Sequence, residues 1–442
     1  MSTLIRDLFS KTPPLARLVY LLIILALTTT HPYPGSWNDS SRIATVQSLV
    51  ESRSLIIDNT AFVSTGDKVF INGHFYSDKP PIPSVLGAAV YLPLYHAGLR
   101  LHPGSSLSYY LVTLLIVRLF WILGVVTLFL QLEYAALDVK SRCLASLALG
   151  VGSLYFSWST TFNSHELAAA FLSIGFYFLL RARFTSKPYL YVGIAGFFLA
   201  LASTADMPTG IYYALFIPYL LRDQRLRTAT VFYLLPLLLT LLPALALNYS
   251  IHHSIMPVQI TRAYFHYPGS PWLGSDELSG MRVNTAGFAF TYGLSALFGS
   301  KGFLLYNPVL AIALWGLFRA IREKGPFYYE AIVIALGSSI LVLYYLLFTN
   351  NYGGWSYSIR WFVPILPLLF FFTYPFFRNY SRSREICFRA LLCIAITIAA
   401  VGAVEPWAHR DLSDVPFIAN LKEIPADLDA LRRLRERLQV VF

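Results

Sequence analysis

The chain has 442 residues, of which 56% are hydrophobic, 16% aromatic and 13% charged, with a mean hydropathy of +0.57. That balance excludes a soluble domain and describes a polytopic membrane protein. The net charge of +11 does not imply a nucleic-acid partner, because the basic residues fall in short clusters between apolar runs, where they act as topology signals.

Arg6, Lys11 and Arg17 precede the apolar run Leu18 to Thr30. The following TTTHPYP has no small-x-small cleavage site, so the run is expected to remain as helix 1, with a cytoplasmic amino terminus and the next segment outside. That segment, 32–111, is a large first outer loop carrying interfacial helices. Its polar part holds Asp39, Arg42, Glu51, Asp58, Asp67, Lys68, Asp78 and Lys79, and Ser40 to Val50 has the apolar spacing of a helix at Ile43, Val46, Leu49 and Val50.

The apolar stretch Ile82 to Leu101 decides the orientation of every later segment. If it crosses, the clusters Lys140/Arg142, Arg181/Arg183/Lys187, Arg222/Arg225/Arg227, Arg319/Arg322/Lys324 and Arg378/Arg382/Arg384 all fall outside, against the positive-inside rule. If it lies along or dips into the outer face, all fall inside. Its prolines Pro81, Pro83 and Pro93 suit that second course, which is the expected one.

Spanning helices are then expected at 112–134, 143–161, 166–182, 189–205, 208–221, 229–248, 302–319, 328–349, 360–377 and 387–405, about eleven with helix 1. The reading is an all-α integral membrane protein with a membrane domain over 1–405, a second long outer loop at 249–301 and a short tail, 406–442, placed outside. The cysteines Cys143, Cys387 and Cys393 lie in or beside apolar runs, so neither a disulfide framework nor a zinc spacing is present.

This topology sorts the ionisable groups. Asp39, Asp78, Glu166, Asp206, Asp276 and Glu277 reach one face together with Lys79, Arg262, Arg282 and Arg360, and such clustering at one side of a membrane bundle is a functional signal. Asp206, before Met207 and Pro208, reads as a helix N-cap. The rings of Tyr264, Phe265, His266, Tyr267, Trp272 and Tyr292 in the second loop suit sugar stacking and the head-group belt equally.

WNDSSRIATVQSLVESRSLI followed by GHFYSDKPPIPSVL resembles the first outer loop of the GT-C glycosyltransferases that use polyprenyl-phosphate sugars, such as the protein O-mannosyltransferases and lipid A aminoarabinose transferases. There an Asp, usually in an Asp-Glu pair three residues before an Arg, precedes a segment ending tyrosine, any residue, acidic, Lys-Pro-Pro. The matching residues are Asp39, Arg42, Tyr76, Asp78, Lys79, Pro80 and Pro81, and LFGSKGFLLYNPVL and GGWSYSIRWFVPILPLL are similar to two further segments of the superfamily. Two departures stand out: Ser40 replaces the second acidic residue, and NSHE stands where aminoarabinose transferases place a second outer Asp, so His165 or Glu166 takes that place or the function has moved.

The resemblance implies transfer of a hexose or pentose from a polyprenyl-phosphate donor to a hydroxyl of a lipid, glycan or protein acceptor, in the cell envelope on the outer face of the plasma or inner membrane. The reaction needs a base for the acceptor proton and cations for the departing phosphate. Asp39 is the expected base, with an N-cap as its bland alternative. Lys79 is the expected phosphate cation, with Arg118 or Arg360 beside it; a structural ion pair and an interface anchor are the respective alternatives for these two arginines. Arg42, Asp78, His165 and Glu166 are expected in support. Some relatives bind a divalent ion, for which Asp78, His165, Glu166 and His266 are the candidates, although their spacing forms no ligand motif. The competing function is a lipid-linked sugar flippase or transporter, which requires charges along a central path.

Overall fold

The computed structural model describes residues 13–424 apart from 276, 279, 281, 379–380 and 408–413. The basic residues Arg6 and Lys11, the acidic residues Asp276, Asp411, Asp427 and Asp429, and the tail LRRLRERLQVVF lie outside the described residues.

The chain is helical throughout, with a single two-stranded hairpin among the described residues. Among those residues, seven helices are long and apolar enough to cross a membrane: α4 (Leu107–Tyr134), α7 (Ser164–Arg183), α8 (Pro188–Ala205), α10 (Thr230–His252), α13 (Tyr328–Phe348), α14 (Arg360–Arg378) and α15 (Arg382–Val404). Two shorter apolar helices, α1 (Pro14–Thr29) and α11 (Ala286–Phe298), accompany them. The remaining expected spans are short or broken. The stretch 143–161 divides into α5 (Val139–Val151) and α6 (Leu154–Ser159) at Gly152 and Ser153, where the Ser153 hydroxyl caps the second piece. The stretches 208–221 and 302–319 yield α9 (Gly210–Arg222) and α12 (Leu310–Arg322). Conversely, α11 lies inside 249–301, which the sequence pattern assigns to a loop.

At the centre, α7 is buried on nearly all sides and packs on α4, α8 and α14. Small residues let the helices approach closely, as membrane bundles require: a Cβ on Gly196 would lie 2.3 Å from the Tyr233 carbonyl oxygen, where α8 meets α10.

One end of the bundle gathers the loops. His31, just past α1, donates its N–H to Thr160 O at 2.9 Å, and its Nε2 lies 2.9 Å from Ala403 O near the end of α15. Ser106, which caps α4, donates to Pro32 O at 2.8 Å. The helix α3 (Ile82–His96) therefore starts beside Pro80 and returns to the same end before α4 begins. It does not cross the bundle. The basic clusters sit at the opposite end: Arg183 closes α7 and meets Glu330 at the start of α13 at 2.5 Å, while Arg222 closes α9 and Arg378 closes α14.

Candidate active site

A cavity of about 540 Å³ opens at the loop end of the bundle. Its walls come from the helix α2 (Trp37–Glu51), the hairpin that follows it, the first turn of α7, the end of α8, and the loops before α11 and α14.

The start of α2 is set by a capping box. The Ser36 hydroxyl accepts from Asn38 N at 3.0 Å, and the Asp39 carboxylate returns the bond by accepting from Ser36 N at 2.8 Å. Asp39 also accepts from Gly35 N at 2.8 Å, Ser40 N at 3.0 Å, Thr161 Oγ1 at 2.9 Å and the Tyr109 hydroxyl at 3.2 Å. The residue is 0% exposed and contributes nothing to the cavity wall. Burial pushes its carboxyl above the ordinary range, against the backbone donors of Gly35 and Ser36. The expectation of a base at Asp39 meets a carboxylate whose oxygens already accept hydrogen bonds behind the cavity wall. The helical period then turns Asn38 and Arg42, four residues apart, toward the cavity. Asp39→Asn, which sets an amide against N–H donors, is expected to lower stability by about 1–3 kcal/mol while turnover per folded molecule stays within a few-fold. Thermal melting alongside specific activity checks this; an unchanged melting temperature with turnover nearly abolished would restore Asp39 as the base.

Arg42 is 2% exposed. One terminal nitrogen donates to Asn38 O at 2.9 Å and to the Asn38 side chain, the other to Ser164 Oγ at 2.8 Å, and Nε has no partner among the described residues. Among the described residues, no carboxylate lies within ion-pair distance of it.

The hairpin pairs β1 (Lys68–Ile71) with β2 (His74–Ser77) in antiparallel register, Lys68 opposite Ser77. Its turn is Asn72–Gly73, both with positive φ, the Asn-Gly signature of a tight hairpin. Continuing that register by one step sets Asp67 beside Asp78. Lys79 bridges them, its Nζ 2.8 Å from each carboxylate. Burial raises the Asp78 carboxyl above its usual value, opposed by the Lys79 charge. The expected phosphate cation thus faces the cavity with its charge already matched by two carboxylates.

His165 lies in the first turn of α7, whose N-cap is Asn163. Its Nδ1 is 2.7 Å from Asp206 Oδ2, and both residues line the cavity. Asp206 occupies an N-cap position, yet its side chain makes no cap bond; the N-cap reading of Asp206 is corrected, since its carboxylate orients an imidazole instead. Arg360 opens α14 half-buried in the cavity wall, with Nε unpartnered among the described residues and its guanidinium 4.8 Å from the Trp407 ring. The mouth is aromatic: the Trp37 ring lies 5.8 Å from Trp355 and 6.4 Å from Trp272.

Three expected participants lie elsewhere. Arg118 is fully buried in α4 and donates to Ser159 Oγ at 2.6 Å, to Thr30 Oγ1 at 3.2 Å and to Thr29 Oγ1, with the Trp121 and Phe156 rings beside it. It lines no part of the cavity, because a guanidinium at membrane depth finds hydroxyls and ring faces on its neighbours. Glu166 is buried beside Tyr155 and Arg118, and His266 is exposed. The metal candidates Asp78, His165, Glu166 and His266 are therefore not brought together, and no group of three or more His, Cys, Asp or Glu side chains suited to an ion occurs among the described residues.

No protein-family model and no curated protein matches the sequence. Solved structures do. ArnT from Cupriavidus metallidurans in the apo state superposes with a TM-score of 0.54 at 13% identity, over 87% of this chain and 62% of that one. ArnT bound to undecaprenyl phosphate gives 0.55 at 13%, over 88% and 69%. The Archaeoglobus fulgidus oligosaccharyltransferase in the apo form gives 0.55 at 12%, over 91% and 57%. At these identities the shared property is the fold alone, that of ArnT and of the archaeal oligosaccharyltransferase, and the chain spans about three-fifths of the length of these two proteins in their apo structures.

Proposed function

We propose that the chain, carrying a GT-C fold, is an integral membrane glycosyltransferase that moves a sugar from a polyprenyl-phosphate donor to an acceptor hydroxyl. The observation that carries this reading is the cavity itself, where an Asp-held imidazole and two guanidinium groups, without carboxylate partners among the described residues, meet at one end of a membrane bundle.

In this reading Asp206 accepts the Nδ1 proton of His165 and leaves Nε2 free as the base. The acceptor oxygen attacks the anomeric carbon of the sugar and gives its proton to Nε2. The bond from that carbon to the phosphate oxygen breaks, and polyprenyl phosphate departs with its charge stabilised by Arg42 and Arg360. The like charges of these two arginines oppose each other, so a bound phosphate relieves the arrangement. Lys79 holds Asp67 and Asp78 in place as acceptors for sugar hydroxyls, and lends its own charge to the donor phosphate as that contact loosens. The tryptophans at the mouth offer faces to the sugar or acceptor. A transporter would need its charges along a path through the bundle, whereas here the open polar groups collect at one end.

The basic clusters at the far end support a cytoplasmic side there and an outward-facing cavity. The test is direct: purified protein in lipid nanodiscs is expected to bind undecaprenyl phosphate and, with a panel of undecaprenyl-phosphate hexoses and pentoses, to release undecaprenyl phosphate as the sugar is transferred. Failure to bind any polyprenyl phosphate would overturn the assignment.

A further inference from the structure

Lys301 sits behind both walls, joined by a hydrogen bond to Gly354 of the cavity and next in the chain to Ser300 of a second feature that the proposed chemistry leaves unused. The residue is 3% exposed, and its ammonium donates to Gly354 O at 2.8 Å. Gly354 lines the polar cavity, in a turn where Gly353 and Gly354 both take positive φ, 88° and 67°. No carboxylate lies within ion-pair distance of Lys301 among the described residues. Burial, reinforced by the like charge of Arg360, draws its pKa down to about 8. Two neighbouring cations, neither with a counter-ion among the described residues, are costly to bury unless an anion joins them.

On its other side, Ser300 begins an almost wholly apolar groove of about 640 Å³. Leu305 and Tyr306 form one wall, Ile394 and Ile398 of α15 another, and Phe417 the rim. Phe417 is held there because its N–H donates to the Tyr306 hydroxyl at 3.2 Å. The α15 residues lie six to ten positions before Val404, roughly 9–15 Å below the loop end at the helical rise of about 1.5 Å per residue. The groove therefore runs from the level of the site into the apolar slab.

We propose that Lys301 is a donor-binding residue at the neck between the two, holding the phosphate of a polyprenyl phosphate together with Arg360 while the isoprenoid chain runs down the groove. This rests on the proposed function and names where its lipid sits. Ordinary bilayer lipid also meets an apolar helix face, but it brings no reason for an unpaired cation pair at the groove's upper end.

The test uses the full chain in nanodiscs with two probes, undecaprenyl phosphate and the short-chain geranyl phosphate. Lys301→Met is expected to weaken both by about tenfold or more, as loss of a charge-assisted contact does, with Lys301→Arg recovering part of the affinity. Thr397→Trp, on an exposed groove position, is expected to weaken undecaprenyl phosphate alone, and it keeps the claim testable should Lys301→Met fail to fold. Wild-type affinity for both probes in Lys301→Met overturns the role of the lysine. Equal affinities for undecaprenyl phosphate in Thr397→Trp and wild type overturn the groove as the chain's seat. A wild-type protein that binds neither probe instead overturns the functional reading beneath it.

Discussion

Replacing His165 by Gln, or Asp206 by Asn, is expected to lower turnover by about 100-fold or more with donor affinity nearly intact. The two side chains come from different helices and meet at 2.7 Å in the cavity wall. Gln keeps the size and hydrogen-bonding character of the imidazole but has no basic nitrogen. Asn at 206 keeps a contact to Nδ1 but loses the charge that selects the tautomer and stabilises the imidazolium as it forms. Because the base must be neutral to act, the wild-type rate should also fall on acidification, and the residual rate of His165→Gln should lose that limb. Steady-state rates across pH, with undecaprenyl phosphate binding measured in parallel, decide the matter. A His165→Gln enzyme with near-normal turnover would remove the pair from the chemistry.

Donor binding should depend most on the guanidinium groups. Arg360→Gln is expected to weaken undecaprenyl phosphate binding by about 100-fold, and Arg42→Gln by a similar factor, because each removes a charge-assisted contact from a site shielded from water. Arg360→Lys should recover part of the loss, since the charge remains while the fork geometry does not. Arg118 provides the contrast. Its bonds go to Ser159, Thr30 and Thr29 inside the bundle, so Arg118→Gln should act on stability and leave the donor affinity of the folded fraction unchanged. Equal donor affinities in Arg360→Gln and wild type would move the phosphate elsewhere in the cavity.

These expectations differ from those drawn on residue spacing alone, and the differences have physical causes. Asp39 stands in the first turn of α2 and Asp206 just before a helical turn, and from sequence each is a cap or a chemical group. Packing separates them: Tyr109 and Thr161 close over Asp39 and use its remaining lone pairs, whereas His165, 41 positions earlier in the chain, takes the carboxylate of Asp206 before any cap bond forms. Asp67 was legible in principle through the Asn72–Gly73 turn signal, since the hairpin register sets it opposite Asp78.

The features legible in the order of amino acids are those that short-range physics controls. Hydropathy placed the seven helices among the described residues that are long and apolar enough to cross a membrane, basic clusters marked one end of the bundle, and the apolar spacing within Ser40 to Val50 announced α2. Those properties are sums over neighbouring residues, and no distant partner alters them. Packing alone settles which charges are left without partners. Arg42, Lys301 and Arg360 are ordinary basic residues in the chain, and become a candidate anion site because α2, the loop after α11 and the start of α14 meet where no carboxylate among the described residues pairs with them. Burial and hydrogen-bond partners are properties of the packed bundle, and they distinguish Arg118, whose donors meet the hydroxyls of Thr29, Thr30 and Ser159, from Arg42 and Arg360, whose Nε atoms have no partner among the described residues.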